Sequence, residues 1–163
     1  MKIGVNAGHT ITGKGYGAVG LIKESEHTRL VADELIRLLG DKAIDLTVDT
    51  SRSYLTDVVK KANESKCDLL VSIHFNAGKG VGCEAYTWCG NKVKEAVKIC
   101  EELNKLGFKN RGVKDGTGFY IIRKTKAVCI LVEVCFIDTE SDVQLYKKLG
   151  AKKIAKAIYK AIN

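Results

Sequence analysis

Two short segments that are apolar on both faces constrain the fold of this chain more than any other feature. Residues Asp68 to Phe75 have the sequence DLLVSIHF, and residues Val128 to Phe136 have the sequence VCILVEVCF. A strand with one face in solvent alternates apolar and polar residues, whereas a strand covered on both faces is apolar throughout. Segments with helical apolar spacing separate the strand-like segments. The pattern predicts an α/β fold with a mostly parallel sheet covered by helices on both faces.

The chain is predicted to form one domain, because its 163 residues include no proline and no long Ser- or Gly-rich linker. The predicted strands are Lys2–Asn6, Ala43–Val48, Asp68–Phe75, Cys83–Trp88, Gly118–Ile122 and Val128–Phe136. The predicted helices are Glu24–Leu39, Leu55–Ala62, Lys92–Leu106 and Ser141–Ile162, the last interrupted near Gly150.

Charge and hydropathy restrict the partners. The net charge of +8 favours an anionic partner, which could be nucleic acid, a membrane surface or the polyanionic wall of a Gram-positive bacterium. An aromatic content of 7% without an interleaved basic and aromatic stripe argues against nucleic acid. No apolar run is long enough for membrane insertion, and the N-terminus lacks the pattern of a secretory signal. The chain is therefore expected to be made in the cytoplasm.

The six cysteines form no C-x-x-C pair. Without a secretory signal, they are expected to be reduced thiols that pack as small hydrophobic residues. Zinc ligation by cysteine is the less favoured interpretation, and disulfides are less favoured still.

Three polar residues occur where a parallel sheet places its ligands, at or beyond the carboxyl ends of strands. His9 follows the first strand, His74 lies near the end of the third, and Glu133 lies within the most apolar strand. A single histidine of this kind is more often a hydrogen-bonded core residue. Two histidines that converge on one sheet edge favour a zinc site, because neutral imidazole is a common zinc ligand.

Glu133 is flanked by valines in a strand with no other polar side chain. A buried, unpaired carboxylate there would cost several kcal/mol. It is therefore either half of a buried salt bridge or a general acid/base beside a metal, where a raised pKa is useful.

Catalytic zinc usually takes three protein ligands and leaves one position for water. The candidates for the third ligand follow the glycine-rich loop: Glu24, Glu26 and His27. Glu24 is predicted to begin a helix, where the helix dipole stabilises a carboxylate. Helix capping and metal ligation are therefore both possible roles for Glu24. His27 shares the helix's apolar stripe, which favours packing in the core.

The ordered segments NAGHT, KESEHTRLVADEL, DLLVSIHFNA, GCEAYTW, NRGVK and AVCILVEVCFIDTESD span nearly the whole chain. In this order they resemble the amidase-3 family of N-acetylmuramoyl-L-alanine amidases, in particular the catalytic domains of phage endolysins. The resemblance implies a twisted, mostly parallel sheet of about six strands. It also implies a zinc amidase catalytic domain over residues 1–163, with no wall-binding domain in the chain.

The resemblance implies roles for individual residues. His9, Glu24 and His74 would hold Zn²⁺, with Glu26 as the alternative to Glu24, and Glu133 would be the catalytic acid/base. The expected activity is cleavage of the amide between N-acetylmuramic acid and L-alanine in peptidoglycan, which lyses the cell wall after the protein's release.

Glu84 and Arg111 lie in segments that border the site in the family, which makes them candidate substrate contacts. Arg111 is either a partner for a stem-peptide carboxylate or a surface arginine in a turn. Anionic wall polymers are a further expected partner. The alternative functions are a zinc peptidase or carboxypeptidase on wall stem peptides and a non-enzymatic wall-binding module.

Overall fold

The computed structural model describes residues 1–163 as a six-stranded sheet with helices on both faces. The strands are β1 (Ile3–Ala7), β2 (Ala43–Asp45), β3 (Leu69–Asn76), β4 (Cys83–Thr87), β5 (Asn110–Asp115) and β6 (Val128–Phe136). The helices are α1 (Glu24–Leu39), α2 (Tyr54–Ser65), α3 (Lys94–Lys105), α4 (Tyr120–Lys124), α5 (Glu140–Leu149) and α6 (Ala151–Ile162). The predicted α/β class and mostly parallel sheet are confirmed.

The strand order is β2-β1-β3-β6-β4-β5. All neighbouring pairs are parallel except β4 and β6, which run antiparallel. The two segments that are apolar on both faces, β3 and β6, pair at the centre of the sheet. Their position explains their composition, since helices cover both of their faces.

The two faces of the sheet have cores of unequal size. On the larger side, the β3 residues Leu69, Val71, Ile73 and Phe75 pack against helices α1, α3, α5 and α6. On the smaller side, Leu70 packs against α2 and α4. Ser72, His74 and Asn76 share the face of Leu70, because successive strand residues point to opposite sides. The polar end of β3 therefore lies beneath α2 and α4.

One predicted strand is wrong, and one strand was not predicted. Residues 118 and 119 form a turn, and residues 120–122 belong to the short helix α4. Ile121 and Ile122 of this helix are both buried against the smaller core. A short run of aromatic and β-branched residues has high strand propensity, but packing overrides it here. The sixth strand is instead β5, a polar edge strand whose only ladder partner is β4. The predicted break near Gly150 is confirmed, and it separates α5 from α6.

Candidate metal centre

Three side chains from separate elements meet at the carboxyl edge of the sheet. His9 follows β1, Glu24 is the first residue of α1, and His74 lies near the end of β3. His9 Nε2 lies 3.1 Å from Glu24 Oε2, and His74 Nδ1 lies 3.2 Å from Glu24 Oε1. One potential ligand atom from each residue lies within 4.8 Å of the others. The structure thus brings together the two predicted histidines and one of the candidate third ligands.

Glu24 is fixed from several directions. It is only 4% exposed, and its carboxylate accepts backbone N–H hydrogen bonds from Ala18 at 3.0 Å and Phe75 at 3.1 Å. Lys23, the residue before the helix, makes no side-chain cap. Glu24 therefore ties the glycine-rich loop to the end of β3.

The protonation states of these groups suit a divalent metal. Burial alone would raise the pKa of Glu24, but hydrogen bonds from His74 and His9 outweigh it and lower that pKa. Burial lowers the pKa of His74, against the opposing effect of Glu24. An ionised carboxylate and a neutral imidazole are the forms that bind metal. Two histidines and one carboxylate are also a donor set typical of catalytic zinc.

Two glycines permit this close packing. A Cβ on Gly8 would lie 2.4 Å from Cε1 of His74. A Cβ on Gly17 would lie 2.7 Å from the His9 ring and 2.8 Å from Glu24 Oε2, and Gly17 also has a φ of +80°. His9 itself has a φ of 66°, which is uncommon for a non-glycine residue.

Arg29 holds the loop of His9 against the start of α1. Its guanidinium donates to the carbonyl oxygens of Gly8 at 3.3 Å, His9 at 2.9 Å and Ser25 at 2.9 Å, and it pairs with Asp49 at 2.9 Å. Arg29 was not singled out from the sequence. Its position one helical turn after Ser25 was the available signal, but the other two carbonyls that it binds, those of Gly8 and His9, belong to a distant segment.

Glu133 lies beside the cluster on β6. It is the Cα register partner of His74, and burial raises its pKa well above the ordinary value, with further increases from Glu24 and Glu84. Its Oε2 atom is buried without a hydrogen-bond partner. No cation pairs with it, so the salt-bridge alternative is not what the structure contains.

A cavity of about 310 Å³ opens over these residues. His9, Glu24, His74 and Glu133 all line it, together with side chains that include Tyr54 of α2 and Phe119. The Tyr54 ring is tilted by 40° to the His9 ring at a centroid distance of 6.4 Å. Tyr54 was not singled out from sequence, because nothing local links the start of α2 to residues that belong to β3, β6 and the loop after β1.

The remaining candidates lie away from the cluster. Glu26 is exposed and pairs with Lys23, while His27 contacts the hydroxyl of Tyr146 at 3.0 Å. All six cysteines are free thiols and five are buried, in agreement with the predicted packing role.

Glu84 and Arg111 contact each other near the site. Glu84 is 2% exposed and its Oε2 lies 2.6 Å from Arg111 Nε, so its carboxylate is directed at the protein's own cations rather than at a cavity. The structure also shows Lys114 on the same oxygen at 2.5 Å, which sequence analysis missed.

Comparison with known proteins identifies the family. Residues 3–163 match the amidase-3 family of N-acetylmuramoyl-L-alanine amidases. The chain belongs to this family. Its cluster of two histidines and one glutamate is the candidate metal centre of an amidase-3 protein.

Relatives and solved structures support the assignment. The chain is 37% identical over 177 residues to an uncharacterised protein of Clostridium perfringens, with all of this chain and 52% of that protein covered. It is 31% identical over 158 residues to the endolysin of Bacillus phage SPP1, covering 88% of this chain and 58% of the endolysin. The chain thus spans about half the length of the curated relatives that it matches.

Among solved structures, the fold is similar to the catalytic domain of CD27L, an endolysin that targets Clostridia difficile. The TM-score is 0.89 at 30% identity, and the match covers 99% of this chain and 96% of that domain. No helix in this amidase-3 chain is long and apolar enough to cross a membrane.

Proposed function

We propose that this chain hydrolyses the amide between N-acetylmuramic acid and L-alanine in peptidoglycan, with Zn²⁺ as its cofactor. The observation that carries the proposal is the cluster of His9, Glu24 and His74 beside Glu133, which lines the same cavity and has a buried Oε2 without a partner. Membership of the amidase-3 family supports the substrate class.

In this proposal, His9, Glu24 and His74 hold the metal, and Glu24 rather than Glu26 is the third ligand. The buried, ionised carboxylate of Glu24 already contacts both imidazoles, whereas Glu26 points to solvent. Zn²⁺ bound there would supply Lewis acidity, lowering the pKa of water towards about 7 and stabilising the oxyanion that forms at the attacked carbonyl.

Glu133 moves the proton. As its carboxylate, it accepts a proton from the water that attacks the lactyl carbonyl. The protonated acid then donates that proton to the departing L-alanine nitrogen, so that the amine leaves neutral. Burial raises the pKa of Glu133, which suits the second half of the cycle because the acid can hold the proton until the C–N bond breaks. Zn²⁺ held beside it would favour the carboxylate that the first half requires.

Anionic wall polymers of Gram-positive bacteria are a second proposed partner. The net charge is +8, and helix α6 carries four exposed lysines without an acidic residue: Lys152, Lys153, Lys156 and Lys160. Attraction between exposed charges is screened by salt over a Debye length of about 10 Å at 0.1 M. We therefore expect binding to intact walls to weaken steeply as salt is added.

Mass spectrometry of digested Gram-positive peptidoglycan, with and without a zinc chelator, tests the proposed reaction. The expected products are intact glycan strands and free peptides that begin with L-alanine, and the chelator should abolish both. Cleavage elsewhere along the stem peptide would indicate a zinc peptidase instead. If a folded, zinc-loaded sample does not digest the wall, the result would favour the alternative function, a non-enzymatic wall-binding module.

A further inference from the structure

A row of polar side chains crosses the sheet from the metal centre to its edge. The register pairs His74 of β3 with Glu133 of β6, and Glu133 with Glu84 of β4. Arg111 of the edge strand β5 then contacts Glu84. We call these four residues the cross-sheet row. Paired residues share a face, so the row lies on the side that α2 and α4 cover.

Glu84 is saturated by the protein's own donors. Oε2 accepts from Arg111 Nε at 2.6 Å and Lys114 Nζ at 2.5 Å. Oε1 accepts from Asn76 Nδ2 at 2.7 Å and Tyr86 Oη at 2.7 Å. Burial alone would raise the pKa of Glu84, but the hydrogen bonds of Arg111, Lys114 and Tyr86 lower it, so the group is a carboxylate. Glu84 holds the two cations and has no oxygen left for a substrate.

Two cations on one carboxylate leave one positive charge in excess at the end of the row. The side chain of Arg111 is 29% exposed and that of Lys114 is 35% exposed, so this charge can be reached from solvent. Arg111 binds Glu84 through Nε alone, and its guanidinium lies 5.0 Å from the centroid of the Phe136 ring. An oriented guanidinium with unused terminal N–H groups is suited to a carboxylate ligand.

The sheet sets the distance between this charge and the chemistry. Strand β5 lies two positions from β6, and neighbouring strands are about 4.8 Å apart, so the backbone of Arg111 lies about 10 Å from that of Glu133 along the sheet. The Arg111 guanidinium is nearer, because it binds Glu84 on the intervening strand β4. An extended peptide covers about 3.3–3.6 Å per residue, so the charge lies within about three residues of the chemistry. Only the peptide side of the substrate has a carboxylate at that spacing, because the lactyl carboxyl of the glycan is consumed in the scissile amide.

We propose that Arg111 and Lys114, held by Glu84, form a subsite for a free carboxylate of the stem peptide within about three residues of the scissile amide. The peptide then lies across β4 and β5, and the glycan lies towards the glycine-rich loop. This inference rests on the proposed amidase function, and it makes the enzyme selective for stem peptides whose carboxylate is not amidated.

Two other cations provide a matched control. Lys14 and Arg52 line a polar cavity of about 660 Å³ on the opposite side of the metal centre, next to Tyr54. Both are exposed, and neither is held by an ion pair within 4.0 Å. Arg52→Met therefore removes one guanidinium near the site without touching the cross-sheet row.

The test compares two muramyl peptides that differ only in whether this carboxylate is free or amidated. The zinc-loaded parent protein should cleave the free form with a kcat/KM about tenfold to a hundredfold higher, the range expected for a charge-assisted hydrogen bond. Arg111→Met should bring the ratio of kcat/KM for the free form to kcat/KM for the amidated form close to one. It should do so by raising KM for the free form, with kcat nearly unchanged. Lys114→Met should lower the ratio in the same direction, and Arg52→Met should preserve it.

Glu84→Gln tests the positioning role separately, since it retains an acceptor but loses the charge that holds both cations. The ratio should fall, again through KM. Equal cleavage of both peptides by the parent protein would overturn the proposed subsite. The proposal would also fail if Arg52→Met abolished the preference for the free form and Arg111→Met did not.

Failure of the amidase function can be recognised independently. If the parent protein cleaves neither peptide, calorimetric binding of the corresponding free stem peptides still decides the subsite. Tighter binding of the free carboxylate form by the parent than by Arg111→Met would support it, and equal binding would refute it.

Discussion

His74 and Glu133 are register partners on the central parallel strands β3 and β6, and their side chains emerge together beneath α2 and α4. One is a candidate ligand and the other an unpaired acid, so the sheet itself sets the separation between the candidate ligand and the candidate acid/base. This relationship accounts for a carboxylate that a solely structural role would leave unexplained, because Glu133 Oε2 has no partner in the protein.

Removing the acid of Glu133 should separate metal binding from catalysis. Glu133→Gln retains the size of the side chain but cannot accept the proton of the attacking water. We expect kcat to fall by about 10²–10⁴-fold, the usual contribution of a general base. Zinc content, measured by inductively coupled plasma mass spectrometry, should stay near that of the parent. Turnover close to the parent's would exclude the assigned role.

The same substitution should stabilise the metal-free protein at neutral pH. Because the pKa of Glu133 is raised on folding, the folded state keeps a proton that the unfolded state loses above its ordinary pKa. Stability is therefore lost as pH rises from about 4.5 towards the folded pKa. Denaturant unfolding of chelator-treated samples should show Glu133→Gln more stable than the parent at pH 7, with the difference vanishing below pH 4. A constant difference across this range would contradict the assignment.

Glu24 and Glu26 are two residues apart, so they form a matched pair for identifying the third ligand. Glu24→Ala should lose most of the bound zinc and the activity, because it removes a donor that contacts both imidazoles. Glu26→Ala removes only an exposed pair with Lys23, and it should bind zinc normally. The reverse result, measured by zinc titration against a competing chelator, would transfer the assignment to Glu26.

Gly17 and Gly13 share a positive φ, of +80° and +83°, but differ in their surroundings. Alanine at either position should cost about 1–2 kcal/mol of stability for the left-handed conformation. Only Gly17→Ala places a methyl group against His9 and Glu24, whereas the position at Gly13 is open. We therefore expect a loss of zinc affinity in Gly17→Ala alone. Equal affinity in the two variants would show that this close packing does not matter.

Arg29 should behave as a support for the metal ligands. Arg29→Met removes the guanidinium donor from the carbonyls of Gly8, His9 and Ser25, although the Thr28 hydroxyl still donates to Gly8 and Ser25. We expect a loss of about 1–3 kcal/mol in unfolding free energy and a tenfold to hundredfold fall in zinc affinity. Arg37→Met, which breaks only an exposed pair with Glu34, is the control and should change neither.

The parts of the fold and site that sequence predicted are those that depend on local patterns. The apolar runs of β3 and β6 predicted a buried parallel sheet, and His9, His74 and Glu133 were identified by where they fall relative to strand ends. The strand predicted at residues 118–122 failed because a five-residue helix buries its two isoleucines equally well. Tyr54, Arg29 and Lys114 were missed because each acts through partners distant in sequence.

The most direct test of the central claim is a zinc titration of the metal-free protein with a defined muramyl peptide. The appearance of new L-alanine amino termini is followed at each added equivalent. Activity should rise linearly and stop at one zinc per chain, and Glu133→Gln should take up the same single zinc without releasing L-alanine termini. Full activity in the metal-free protein, or cleavage at any bond other than the amide to L-alanine, would contradict the proposed function.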